Sequence, residues 1–244
     1  MTDPRTSIIQ DRLKGIRSIV AVSSGKGGVG KSLVASVLAL TLARKGYRVG
    51  LLDLDLTGPS SHVILGVGEL RPREEKGIVP PEVHGLKYMS IVYYARERAS
   101  PLRGADISDA MTELLAVTIW DDLDFLIIDM PPGISDTTLD VLKLVRNAAF
   151  LLVTTPSRLA FETVGKLMSL LSELAVPVIG VIENMKIKDS RFIRQQVEAR
   201  GVRFWGEVPF DPQLEDNIGD VDQLLETRFS RALAKLIEAN LAVR

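Results

Sequence analysis

The sequence predicts an α/β fold, a doubly wound and mostly parallel β-sheet flanked by helices. Two observations carry the prediction: short, near-continuous apolar runs alternate with longer segments of helical period, and no Pro/Gly/Ser-rich linker interrupts the alternation. Apolar runs without polar alternation belong to strands buried on both faces, and a βαβ order places helices on both sides of such strands. A third observation is the share of hydrophobic residues, 46% of 244, which is material for one large core. Residues 1–244 therefore read as a single domain.

The elements follow in order. Residues 1–17 form a lead-in arm in which Ile8, Ile9, Leu13 and Ile16 recur at roughly helical spacing, suited to packing or to docking. Strands are expected over residues 18–23, 48–53, 86–90, 125–129, 149–154, 178–183 and 203–208. Helices are expected over 31–45, 108–120, 135–146, 161–174, 190–200 and 221–241. Residues 66–83, with "RPREEKG" and "VPPEVHG", are the least regular stretch and read as an excursion, either solvated or partner-binding. In the last helix Phe229, Leu233, Leu236, Ile237 and Leu241 share a face. That stripe is expected to pack on the sheet, a membrane-surface helix being the alternative.

Composition narrows the function. Thirty Lys and Arg balance 31 Asp and Glu, so no global field draws the chain to nucleic acid or to an anionic membrane. There is no cysteine, hence no disulfide and no thiolate metal site, and His62 and His84 read as local hydrogen-bonding residues. No apolar run approaches the roughly 18 residues of a membrane span, and the polar start is no secretory signal, so the expected location is cytoplasmic. Few Asn and Gln among many charges suit a hot habitat.

Chemistry concentrates at three strand ends. "GKGGVGKS", Gly25 to Ser32, satisfies G-x-x-x-x-G-K-[ST] between an expected strand and an expected helix. Backbone N–H groups across Gly25, Gly27, Gly28, Val29, Gly30, Lys31, Ser32 and Leu33 would cradle phosphate, aided by the helix dipole. Lys31 would reach the β- and γ-phosphates of ATP or ADP, and the Ser32 hydroxyl would ligate Mg²⁺. Asp129 closes the strand of "LDFLIIDMPPG" and would hold the metal's water shell. In "VGLLDLDLTGPSS", Asp53 and Asp55 are two apart and share a face in extended chain. One of that pair, Asp53, is expected on the Mg²⁺ waters and the other, Asp55, on the attacking water, since two adjacent acids need a shared cation.

The double-lysine loop, "DLDLTGPSSHVILG", "LIIDMPPG", "VTTPSRLA", "VIGVIENM" and "GEVPFDP" occur in the order that identifies a Mrp/MinD-type, deviant Walker A ATPase with a P-loop NTPase fold, over about residues 17–226. The resemblance implies a slow, conformationally coupled ATP hydrolase that dimerises around nucleotide. It assigns Lys26 to the phosphates of the opposite subunit, a charge supplied in trans. It makes Asn184 the adenine-reading amide, with Pro209 and Asp211 in the loop over the ring, and leaves the role of Thr154, Thr155 and Pro156 open.

Iron–sulfur carriers of the Mrp branch have a C-x-x-C pair soon after E-N-M, where this chain reads "ENMKIKDSRF". A cluster carrier with its own ligands is therefore disfavoured. Within the family the chain resembles the archaeal Mrp/MinD-type form of the nickel–iron hydrogenase maturation factor HypB. That resemblance implies nickel insertion with a HypA-type nickel-binding partner, serving the hydrogenase large subunit indirectly. An iron–sulfur scaffold that borrows a client's ligands and a MinD-like membrane regulator are the alternatives.

Overall fold

The computed structural model describes residues 3–55, 58–68, 71–95, 105–188 and 191–241. Among them the strands are β1 (Ile16–Ser24), β2 (Val49–Asp53), β3 (Arg73–Glu75), β4 (Gly77–Val79), β5 (Glu82–Val83), β6 (Leu86–Ser90), β7 (Leu123–Asp129), β8 (Ala148–Thr154), β9 (Val178–Lys186) and β10 (Phe204–Pro209). The helices are α1 (Arg5–Leu13), α2 (Lys31–Arg44), α3 (Ser61–Ile64), α4 (Val92–Ala95), α5 (Ala105–Val117), α6 (Asp136–Leu144), α7 (Arg158–Glu173), α8 (Phe192–Glu198), α9 (Val221–Glu226) and α10 (Arg228–Asn240).

Eight strands form one sheet in the order β10-β9-β8-β1-β7-β2-β6-β5. All neighbours are parallel except β5 against β6. The chain first builds outward from β1 toward β6, then returns through β7 to build β8, β9 and β10 on the other side. Such a reversal opens a crevice at the carboxyl ends of the strands, where doubly wound sheets bind ligands.

Alternate residues of the central strands feed two separate cores, as the two-residue period of a strand requires. Ile19 and Ala21 of β1, with Leu126 and Ile128 of β7, pack toward Ile9, Met111, Leu114, Trp120, Phe161 and Leu171. Val20 and Val22, with Phe125 and Ile127, pack toward Val34, Leu38, Leu42, Phe229, Leu233 and Ile237. The stripe on the last helix is thus core, with Leu236 lying over Gly206 of β10.

The backbone gives the expected elements their bounds. The lead-in arm is helix α1 with Ile9 and Leu13 buried, while Ile8 is exposed and Ile16 opens β1; residues 1 and 2 lie outside the described residues. The helix expected over 221–241 is two, because Thr227 turns extended (ψ 157°) and its hydroxyl accepts the N–H of Ser230, capping α10. The excursion over 66–83 contains a hairpin, β3 against β4, with residues 69 and 70 outside the described set. Ser190, where a helix was expected to start, also lies outside it, and α8 begins at Phe192. No helix among the described residues is long and apolar enough to cross a membrane.

On β9 and β10 a close approach depends on one glycine. The Trp205 ring lies where a Gly180 side chain would be, its Cδ1 1.9 Å from an added Cβ, and its Nε1 donates to the Ile179 carbonyl at 2.7 Å. Gly180→Ala is expected to displace the indole and cost about 1–3 kcal/mol, the range of overpacked sites. Thermal unfolding checks this, since each kcal/mol moves the midpoint by roughly 2–4 °C in a chain of this size.

Candidate functional site

The loop between β1 and α2 is shaped by positions that exclude side chains. Gly30 takes φ +82° as the residue before α2, and a Cβ there would meet Asn184 Nδ2 at 2.4 Å. Gly25 lies equally close to Thr163 of α7, whereas a Cβ on Gly27 or Gly28 would meet nothing within 4 Å. The loop is pinned at both ends and open in the middle. Val29 is buried beneath it, Leu33 packs against the α2-side core, and the first-turn N–H groups of α2 have no partner within the helix.

Two acids and a hydroxyl converge on one ammonium. Lys31 Nζ donates to Asp129 Oδ1 at 2.5 Å, lies 3.3 Å from Ser32 Oγ and stands 3.5 Å from Asp55 Oδ2. The strands bring this about, because Asp53 and Asp129 are register partners on β2 and β7, and Val22 of β1 is the partner of Asp129 on its other side. Burial pushes the Asp129 carboxyl up to about 6, with Lys31 pulling it down and the neighbouring Asp53 adding to the rise. Its Oδ2 is buried and has no hydrogen-bond partner among the described residues. An orphaned carboxylate oxygen, a hydroxyl and an excess of negative charge are the donor set that a hard divalent cation such as Mg²⁺ requires.

Asp53 and Asp129 are not equivalent, which sequence spacing did not reveal. Asp53 is fully buried, and burial raises its carboxyl against the pull of Ser61. Its Oδ2 accepts the Ser61 hydroxyl and the Ser61 N–H, the latter at 3.3 Å, and its Oδ1 accepts the Asp55 N–H at 3.0 Å. The Tyr88 hydroxyl lies 2.8 Å from Ser61 Oγ and continues the chain. Asp53 thus ties the loop after β2, setting the position of Asp55, whose Oδ1 accepts the Gly58 N–H at 3.2 Å.

The three residues expected around adenine each make contacts within the chain. Asn184 is buried and one N–H of its Nδ2 donates to the Val29 carbonyl at 2.9 Å, so it braces the phosphate loop. Asp211 accepts the N–H of Gln213 at 3.2 Å and of Phe229 at 3.1 Å, fastening its loop to the start of α10. Pro209 pairs with Lys186 across β10 and β9.

Beside the loop lies an open cleft of about 500 Å³, lined by Lys26, Gly27, Gly28 and Val29, by Thr155, Pro156 and Ser157, and by Met185, Ile187 and Lys188. Lys26 is exposed there and makes no ion pair among the described residues. Thr155 and Pro156, left without a role above, form its far wall. No three metal-ligating side chains cluster among the described residues, and His84 is spent on the Leu65 carbonyl at 2.9 Å.

A strand, a glycine loop and a helix whose first lysine faces an acid on an adjacent strand define a P-loop NTPase. The chain belongs to the ParA family described as NUBPL iron-transfer P-loop NTPase, whose model matches residues 15–241. An iron-sulfur cluster carrier protein of Pseudomonas fragi is 45% identical over 179 residues, 72% of this chain and 62% of the relative. Another of the same name from Aquifex aeolicus is 38% identical over 221 residues, 84% of this chain and 61% of the relative. The chain therefore spans less than two thirds of the length of these two relatives. Among solved structures, a nucleotide-binding protein of Archaeoglobus fulgidus in complex with ADP superposes with TM-score 0.76 at 29% identity, covering 91% of this chain and 93% of the other. The septum site-determining protein MinD of Pyrococcus horikoshii, complexed with Mg-ADP, superposes with TM-score 0.69 at 22% identity over 91% and 95%, a likeness of fold.

These relatives overturn the nickel reading. They carry the iron–sulfur name, the matched family is one of iron transfer, and nothing singles out the HypB form or a HypA-type partner. The missing cysteine pair misled because it bears on who supplies cluster ligands, not on what is carried.

The Asp53 assignment is directly testable. Ser61→Ala removes a charge-assisted hydrogen bond from a buried carboxylate and is expected to cost about 1.5–3 kcal/mol. Denaturant unfolding measures it, and a loss near zero would show that Asp53 finds another donor.

Proposed function

We propose that the chain is a Mg²⁺-dependent ATPase, working as a nucleotide-switched homodimer in iron–sulfur cluster transfer, with the cluster's thiolates supplied by a client. The observation that carries the ATPase part is the buried Lys31 ammonium held among Asp129, Asp55 and Ser32 at the start of α2. A lysine placed there can exchange its carboxylate partners for phosphate oxygens. The exchange releases Asp129, already short of one partner, to hold the water shell of a cation ligated by Ser32. When bound, Mg²⁺ neutralises charge on the transferring phosphoryl group and fixes its geometry. Asp55, set by Asp53, is the carboxylate assigned to orient the attacking water.

The dimer part rests on the open face of the loop. Lys26 faces the cleft with no ion pair among the described residues, fit to act on a nucleotide bound to a second copy, a kind of contribution worth roughly 10³–10⁵ in rate in related phosphoryl-transfer enzymes. Ile187 on the same cleft is 75% exposed and Leu159, two residues beyond Ser157, is 80% exposed. Such side chains are the apolar material of an interface. Slow hydrolysis coupled to opening of that interface fits a switch better than a metabolic enzyme.

The cargo part rests on the family and its relatives. With no cysteine in the chain, cluster ligands come from another polypeptide, and the ATPase acts on that polypeptide through its nucleotide state. Lys31→Ala is expected to abolish ATP binding in calorimetric titration. Lys26→Ala is expected to spare binding by the monomer and lose hydrolysis, so unchanged turnover would remove the trans lysine. For the cargo, transfer from a cysteine-ligated donor protein to an apo-acceptor is measured with ATP, ADP or a non-hydrolysable analogue. A nucleotide-dependent rate is expected, and identical rates in all three states would exclude the reading.

A further inference from the structure

The carboxyl ends of β9 and β10 hold a buried ion cluster that the phosphate site does not touch. Glu183 and Glu207 are register partners on adjacent parallel strands, so two carboxylates stand side by side. Like charges so placed repel unless a cation is shared. Lys186 supplies it, donating to both oxygens of Glu183 at 3.0 Å and to Glu207 Oε1 at 3.2 Å. The Glu183 side chain is fully buried and that of Lys186 is 8% exposed.

Lys186 reaches the pair through an irregularity. Between paired positions β9 advances from Glu183 to Lys186 while β10 advances only from Glu207 to Pro209, so β9 carries one extra residue. The bulge puts Met185 at φ +58°, a left-handed conformation costly for any residue with a side chain. It also turns Asn184 onto the phosphate loop, where Nδ2 holds the Val29 carbonyl beside Gly30. The Lys186 carbonyl accepts the Phe210 N–H at 2.9 Å, closing the bulge on its outer side. Strain of this kind persists only where neighbouring groups enforce it.

We propose that Glu183, Lys186 and Glu207 are positioning residues for nucleotide binding: their ion cluster clamps the β9 bulge, and the clamped bulge holds Asn184 against the Val29–Gly30 turn of the phosphate loop. The inference rests on the nucleotide-binding reading above. It makes the loop's shape depend on charges two and three strands away from the strand that leads into the loop.

The test is calorimetric titration with a Mg²⁺-bound, non-hydrolysable ATP analogue, at a temperature where circular dichroism shows each variant folded. Lys186→Met and Asn184→Ala are each expected to weaken binding about tenfold, and the double variant no more than the weaker single, because residues acting as one unit are not additive. Adding Met185→Gly to Lys186→Met is expected to recover most of the affinity, since glycine adopts the bulge conformation without a clamp. Lys186→Gln serves where the methionine variant does not fold. Unchanged affinity in the Lys186 variant, fully additive losses, or no recovery with glycine would each overturn the clamp. A wild-type chain that binds no analogue would instead overturn the nucleotide reading on which it rests.

Discussion

The arrangement around Lys31 is the constraint on which the rest of the site depends. A parallel sheet brings the ends of β2 and β7 into register, which sets Asp53 and Asp129 beside each other at full burial. Two buried carboxylates cannot both keep their charge without compensation. The compensation is divided: Asp53 is satisfied by the Ser61 hydroxyl and two backbone amides, and Asp129 by the one ammonium that α2 delivers. Hydrogen bonds at one carboxylate thereby leave the other with an oxygen that no described residue satisfies. The glycine loop exists to bring Lys31 and its helix to this point, and β1 lies between β7 and β8 so that the loop emerges at the crevice.

Much of this is legible in the sequence. Strands of parallel sheets are nearly all apolar, and the runs ending at Asp53 and Asp129 stand out for that reason. Helix ends were harder, since the period of an apolar stripe continues through a cap. Phe229 and Leu233 keep the rhythm of Val221 and Leu224, and only the Thr227 hydroxyl meeting the Ser230 N–H marks the break. The hairpin of β3 and β4 buries neither face fully, so it left no alternation to read. Within the site, Lys31 and Ser32 follow from the loop motif, but the bond from Ser61 to Asp53 spans eight residues with no motif attached. The brace from Asn184 to Val29 spans 155 and is set by tertiary packing alone.

The functional reading went astray at one point, and the cause is physical. "ENMKIKDSRF" lacks thiols, which excludes cluster ligation by those residues and nothing more. Ligation and conformational work are separable tasks, and the absence of thiols bears on the first alone. Identity to iron–sulfur carriers across most of the chain therefore stands together with zero cysteines.

The outer strand of the sheet carries a further consequence. β10 has no neighbouring strand beyond it among the described residues, and an exposed row of backbone donors and acceptors is a template for accretion of another chain. Its ladder, however, is broken twice: Trp205 is an extra residue on one side and the Asn184–Met185 bulge an extra residue on the other, with Pro209 at the end contributing no donor. α10 and α8 lie against what remains. β10 thus presents no flat, continuous border for sheet extension, so the irregularities that frame the nucleotide loop also guard this edge against strand-to-strand growth.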